Sequence, residues 1–336
     1  MRDGDRPWTP RALKRRAVLR ALGATGALGA LGTISAATGT SGFSTAALAQ
    51  AATSQTAAGT PSRIIVLSWA LTEMLLSLGV APIGVPAPTW YTSGIVEPPL
   101  PADVVDVGLL YQPNYDLLYE LRPDLMVITP AHASVRASFE RIAPTLTLGA
   151  YITDPQPYRA MRGEVLTLGR RLGRTVQAEA LLARTEAVID EARAALTGAH
   201  ARLCVAQIVD DRHLRVYGAG SLFDEILQSL RLRNAAAEKT AGARAPLISS
   251  RMGASVIELE QLARIPDANL LWVDGGAPGA LAGLQRNPVW RQLPFAQPGR
   301  AATLPVIAAQ GALVSVQRFA RAVAQVVPSM ENSHAI

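Results

Sequence analysis

The chain has 336 residues, 49% apolar and 5% aromatic, enough to bury a core of about two domains; this excludes a fibrous or disordered class. Its formal charge of +6 does not mark a nucleic-acid surface, because residues 1–49 hold seven Lys or Arg against two Asp and leave 25 basic against 24 acidic residues in the remainder. Phosphate binding needs the basic excess on the folded body. In chain order, the first 49 residues run from a basic stretch, Lys14-Arg15-Arg16-Ala17-Val18-Leu19, through an apolar segment from Ala21 to about Ala37, to the small residues of Ala47-Leu48-Ala49. That order is the one an export signal requires, and the basic stretch is similar to a twin-arginine motif. The expectation is delivery to the periplasm by the twin-arginine translocase, with signal-peptidase cleavage before Gln50. An ordinary secretory signal is the alternative, and it exports the chain equally. The apolar segment is diluted by Gly and Thr, which makes it a poor membrane span. Residues 50–60 read as a polar, Ala-rich tether.

The body begins with a short apolar strand over 63–67, followed by a helix over 70–78 that stops at Gly79. After a Pro-rich connection, Asn114 caps a helix over 115–121, and 125–128 forms the next strand. Residues 61–150 therefore read as one α/β lobe. Over 151–197 the pattern turns to charged and apolar residues at helical period, giving a helix from Pro157 to about Leu172, long enough to span the back of both lobes, and a second from Val176. A second strand series over 198–330 comprises 204–209, 214–217 and 270–273, with Ser221 capping a helix over 222–230 and a terminal amphipathic helix over 312–327. Residues 331–336 are a tail.

Cys204, the single cysteine, sits in the run Leu203-Cys204-Val205-Ala206 and reads as a buried strand residue without a disulfide partner. His132, His200, His213 and His334 show no paired ligand spacing, which argues against a protein-ligated metal. An exported hydrolase is the rival from another class. The chain has no Gly-x-Ser-x-Gly elbow, His-Glu-x-x-His or phosphate loop, and Tyr217-Gly218-Ala219-Gly220-Ser221 fits a turn and helix cap better than a nucleophile.

Several stretches together resemble one family. Arg63-Ile64-Ile65-Val66-Leu67-Ser68-Trp69, Glu97-Pro98-Pro99-Leu100-Pro101, Asp106-Val107-Gly108-Leu109, Gln112-Pro113-Asn114 and Arg141-Ile142-Ala143-Pro144 are similar to the first lobe of the periplasmic ferric-hydroxamate siderophore-binding proteins. Asp211-Arg212-His213, Ser221-Leu222-Phe223-Asp224-Glu225-Ile226-Leu227, Asn287-Pro288-Val289-Trp290 and Gly299-Arg300 continue the likeness, which covers nearly all of 61–327. The resemblance implies a class III periplasmic binding protein: two α/β lobes joined by one long backbone helix, with a ligand cleft between them and a small closing motion. It further implies a monomeric, non-enzymatic carrier without a cofactor, which holds iron only through a ferric siderophore and passes it to an inner-membrane ABC permease and its ATPase. Cobalamin, haem or another metal chelate is the alternative cargo, with haem disfavoured by the lack of a His/Tyr ligand pair. A sensor-associated or chaperone module on the same scaffold is a third reading.

The resemblance also locates the site and shows where this chain departs from it. The family's cleft Arg falls on Leu110, beside Tyr111; its cleft Tyr falls on His132; its second-lobe Trp falls on Met252; and its last aromatic falls near Ala308. Trp69 is retained. A siderophore complex presents oxygens around iron and an apolar carrier backbone, so its receptor needs donors and apolar walls. The expected donors are Tyr111, His132, Arg251 and Gln310, and the expected walls are Trp69, Trp90, Tyr91 and Met252. Arg251 would replace the missing Arg from the opposite lobe. Trp272 and Trp290 read as core. For permease docking, Glu260 matches the second-lobe position, while Glu140 stands in for a first-lobe position that falls near Ala137.

Overall fold

The computed structural model describes residues 60–239, 246–248, 250, 253–275 and 279–332. The expected leader (1–49), almost all of the 50–60 tether, and the end of the tail lie outside the described residues, as do Arg251 and Met252.

Strand β1 (Ile64–Val66) is wholly apolar, β-branched and fully buried, the composition of a central strand covered on both faces. It is joined by β2 (Gly84–Val85) and β3 (Val105–Asp106) on one side, and by β6 (Leu125–Ile128) and β7 (Thr145–Thr147) on the other. The five strands are all parallel, in the order β3-β2-β1-β6-β7. A small hairpin of β4 (Gly108–Leu109) and β5 (Gln112–Pro113) leaves the end of β3. Parallel pairing demands crossovers, and these carry α1 (Trp69–Ser77), α2 (Pro88–Gly94), α3 (Tyr115–Leu121) and α4 (Arg136–Glu140). Asn114 caps α3 by accepting the Leu117 amide at 3.2 Å, as the sequence indicates.

Two helices follow, α5 (Pro157–Arg171) and α6 (Thr175–Ala195). The second sheet then combines β8 (Arg202–Ile208), β9 (His213–Tyr217), β10 (Arg233–Asn234), β11 (Ala254–Glu258), β12 (Asn269–Val273) and β13 (Ala301–Leu304). Its order is β11-β9-β8-β12-β13, with β10 beside the start of β8. Strands β8, β12 and β13 run parallel, whereas β9 and β11 are antiparallel additions. Helix α7 (Leu222–Ser229), capped by Ser221, is followed by the short α8 (Ala280–Arg286) and α9 (Pro288–Gln292) and by the terminal α10 (Leu313–Asn332). Cys204 is fully buried in β8, where burial pushes its thiol up to about 12. Trp272 and Trp290 pack against each other at 5.4 Å in the core of this lobe.

The two lobes meet through helices. Helix α5, about 22 Å long at 1.5 Å per residue, is held at both levels: Glu225 of α7 accepts the amides of Tyr158 (2.6 Å) and Arg159 (3.1 Å) at its N-terminus, and its own Glu164 accepts those of Gly149 and Tyr151 beside the first sheet. Helices α6 and α10 pack alongside, and Gln317 donates to buried Thr185 at 2.8 Å across their contact. One apolar core runs from Ile64 and Val66 through Met161, Val165 and Leu181 to Val205, Phe223 and Phe319. The two Phe rings stack at 4.4 Å.

A third carboxylate closes the same junction. Glu73 of α1 is fully buried and accepts the backbone amides of Ala312 and Ser315 and the Ser315 hydroxyl, each at 2.8 Å. These amides lie at the N-terminal end of α10, just before it and in its first turn, where the helix offers them no partners and its dipole favours a negative group. Gly311 is required by the close approach: a Cβ would lie 2.1 Å from the Ser315 hydroxyl and 2.8 Å from the Glu73 carboxylate. Desolvation raises the Glu73 pKa from 4.5 to about 7, against the opposing pull of its amide and hydroxyl donors. The protonated form is thus favoured by folding, so its stabilisation is complete below about 4.5 and is lost as pH rises through about 7. Urea unfolding at pH 5 and pH 8 should show the chain more stable at the lower pH, and Glu73→Gln should remove about 2 kcal/mol of that difference. Gly311→Ala should cost about 2 kcal/mol or more at either pH, by forcing Ser315 off the carboxylate.

Candidate functional site

In a parallel α/β sheet the loops beyond the carboxyl ends of the strands collect on one side and form a crevice. Here both sheets direct those loops at each other. A cleft of about 990 Å³ is lined from the first lobe by the segments following β1, β6 and β7, with α2 and the β4–β5 turn, and from the second by the ends of β8, β12 and β13 together with β9 and β11.

The first-lobe wall is aromatic. Trp69 opens α1, and its indole nitrogen donates to the Pro86 carbonyl at 2.7 Å; the polar edge is thereby spent on the scaffold and the ring face is left for contact. Trp90 of α2 stacks on it, with centroids 5.4 Å apart and planes inclined by 27°. Trp90 is 65% exposed and borders the cleft with Trp69. Tyr111, on the β4–β5 turn, is 64% exposed and also lines the cleft beside Leu110. Gln310 lies on the floor, exposed, in the segment between β13 and α10.

Two expected site residues sit elsewhere. Tyr91 is completely buried and its hydroxyl donates to the Pro98 carbonyl at 2.7 Å, fixing the Pro-rich connection. Burial, with the Glu73 charge adding to it, raises its pKa. Because α2 turns 100° per residue, Trp90 and Tyr91 face different ways, so the pair divides between cleft and core. His132 is also buried, behind the cleft wall. Its Nδ1 accepts the Thr129 amide (3.2 Å) and meets the Thr129 hydroxyl (2.9 Å), while Nε2 faces the Leu110 carbonyl at 2.9 Å. An amide can only donate and a carbonyl only accept, which fixes the proton on Nε2. His132 therefore caps the turn after β6 and props the Leu110–Tyr111 turn, with its ring 5.6 Å from Tyr111.

The second-lobe wall carries polar residues that the sequence reading passed over. Gln207 of β8 and Arg215 of β9 are directly paired across the ladder. The Gln207 side-chain oxygen accepts from Arg215 Nη1 at 3.2 Å and from the Tyr217 hydroxyl at 3.4 Å. Desolvation raises the Tyr217 pKa, opposed by the neighbouring Arg215, and keeps the hydroxyl a donor. The signal was the alternation His213-Leu214-Arg215-Val216-Tyr217, in which Leu214 and Val216 are buried and Arg215 is exposed. Period two places Arg215 and Tyr217 on the same face.

Comparison with known proteins decides the family. Residues 64–308 match the family described as periplasmic binding protein. The chain belongs to that family. It is 32% identical over 270 residues to the iron(3+)-hydroxamate-binding protein FhuD of Escherichia coli (strain K12), covering 80% of this chain and 88% of that protein. It is 22% identical over 249 residues to the Fe(3+)-citrate-binding protein YfmC of Bacillus subtilis (strain 168), covering 73% of each. Among solved structures, that of FhuD from Vibrio cholerae bound to Fe3+-Desferal shares the fold, with a TM-score of 0.71 and 24% identity over 80% of this chain and 98% of that one. The two-lobed class III fold expected from the sequence is the one observed, and family membership places the protein among binders rather than enzymes. Among the described residues no group of three or more His, Cys, Asp or Glu is placed to hold a metal ion, and no helix is long and apolar enough to cross a membrane.

Within this binding protein the buried His132 differs from the exposed Trp90 in a measurable way. His132→Ala leaves the Thr129 amide and the Leu110 carbonyl without partners and should lower the unfolding free energy by about 2 kcal/mol in urea, whereas Trp90→Ala, at an exposed position, should change it by less than about 1 kcal/mol.

Proposed function

We propose that this chain captures a ferric siderophore of hydroxamate-like or mixed type in the periplasm and delivers it to an inner-membrane ABC permease and its ATPase. Export by the twin-arginine translocase, with signal-peptidase cleavage before Gln50, brings it there, and it acts as a monomer. The observation that carries this reading is the pairing, across one pre-formed cleft, of a Trp69–Trp90 wall with a donor-bearing wall. A chelate that brings its own iron coordination shell needs from its receptor an apolar surface for its carrier backbone and donors for its oxygens. Protein metal ligands are superfluous in such a site. The identity to an iron(3+)-hydroxamate-binding relative supports the same cargo class.

Ligand contacts fall to Trp69, Trp90, Tyr111 and Gln310 on this reading, with Tyr91 and His132 acting behind the wall. Arg251 and Met252, outside the described residues, remain proposed contacts of the second lobe. Glu260 is exposed on the short helical turn after β11. Glu140 is exposed at the end of α4, where Arg136 at 2.7 Å and the Thr145 hydroxyl hold its carboxyl below the usual range and so ionised. One acidic group on each lobe would dock on basic residues of the permease.

Intrinsic Trp fluorescence of the full chain should be quenched saturably by ferric siderophores and not by the iron-free compounds; absence of quenching by every ferric chelate tried would end this reading. Trp69→Ala should weaken binding about 10-fold or more. Glu140→Lys and Glu260→Lys should reduce cellular uptake of labelled iron while leaving the dissociation constant unchanged, and a loss of affinity in either variant would remove it from the docking role.

A further inference from the structure

Arg215 is the one charged side chain among the described residues that line the cleft. Its place is set by three strands: the register puts Gln207 of β8 on one side and Val256 of β11 on the other, so the three side chains form a row across the sheet. Val209 and Val256 are exposed apolar residues along the same wall. No ion pair joins Arg215 to a carboxylate among the described residues, in contrast to Arg202, Arg233 and Arg318. Its side-chain partners are neutral: the Gln207 oxygen, which also accepts from Tyr217, and the Tyr217 hydroxyl beside it.

The arrangement has a specific chemical meaning. A guanidinium has five N–H donors in a rigid plane. Gln207 engages one edge and fixes the plane without neutralising the charge, while Tyr217 saturates the same oxygen and holds Gln207 in turn. The remaining N–H groups keep their fork for an anionic pair of oxygens. Val209 and Val256 border the guanidinium with apolar surface, and the walls of the cleft focus the field of its charge. No acidic residue lines the cleft among those described, so nothing on these walls opposes an anion.

We propose that Arg215, positioned by Gln207 and Tyr217, selects for ferric chelates bearing a free carboxylate or another anionic oxygen pair over chelates of no net charge. This rests on the ferric-siderophore reading and specifies the charge of its cargo. Arg215 is exposed on a strand whose packing is made by Leu214 and Val216, so its replacement leaves the core intact.

The test compares two probes on the full chain by fluorescence titration: a carboxylate-bearing ferric citrate-dihydroxamate (ferric aerobactin) and a neutral ferric trihydroxamate (ferrichrome). The wild type should bind the anionic chelate more tightly, with an affinity that falls as salt is raised. Arg215→Leu should weaken the anionic chelate about 10- to 100-fold, change the neutral one by less than about 3-fold, and flatten the salt dependence. Arg215→Lys, which keeps the charge and loses the fork, should fall between. Equal binding of both probes by the wild type, or equal effects of Arg215→Leu on both, overturns the selectivity and leaves the ferric-siderophore reading standing. Failure of every ferric chelate to bind the wild type removes both.

Discussion

Glu73 couples the opening helix of one lobe to the first turn of the helix that closes the chain, and the cleft depends on that coupling. The segment between β13 and α10 forms the floor of the cleft through Ile307 to Gln310, and the amides just beyond it are held by the Glu73 carboxylate. A buried acid satisfies three donors there, and Gly311 leaves it room. Glu225 repeats the device in the opposite sense, from the second lobe to the N-terminus of α5. Both acids sit where a helix presents unpaired amides, and in both burial raises the pKa. The helix ends supply donors that a strand connection would have consumed in its own ladder. The junction is therefore specified by hydrogen bonding on top of a continuous apolar core, and relative movement of the lobes would have to disturb both.

A stiff junction makes the cleft a property of the fold. Its two walls are built by the same rule, loops beyond the carboxyl ends of parallel strands, but they carry different chemistry. The first lobe offers the stacked Trp69 and Trp90, braced by Pro86. The second offers a polar row laid across an antiparallel extension of its sheet. Antiparallel β9 and β11 contribute to this, because Arg215 stands exposed between buried neighbours and Val256 is exposed beside it, next to the half-buried Gln207 near the end of β8.

Much of this was legible in the sequence. The apolar run over 64–66, the Asn114 and Ser221 caps, the buried Cys204 and the helix starting at Pro157 each follow from local rules, and the structure places them as read. The site was legible only in part. Trp69 and Trp90 reach the cleft, yet Tyr91, one residue on, is in the core, because a short helix separates neighbours by angle and the sequence does not give its rotation about the axis. His132 looked like a cleft donor because its position in the family pattern is an aromatic donor. Its capping geometry with Thr129 instead draws the ring inward. Arg215 escapes local rules for a related reason: the apolar half of the alternation, Leu214 and Val216, is what marks the strand, while the exposed half gains its meaning only from the neighbouring strands.

The division of the walls bears on how a ligand sits. The family pattern has its cation on the first lobe, where Leu110 stands in this chain, and the replacement was expected from the opposite lobe at Arg251, outside the described residues; among the described residues the cation lining that opposite wall is Arg215. An amphipathic chelate would then turn its oxygen-rich end toward the second lobe and lay its carrier backbone on the tryptophans. Moving the charge across the cleft preserves the attraction and reverses the polarity of the site, so relatives that share this fold need not share a ligand orientation. With the junction braced by Glu73 and Glu225 and only a small closing motion expected of helix-linked lobes, orientation is set by which wall bears the charge.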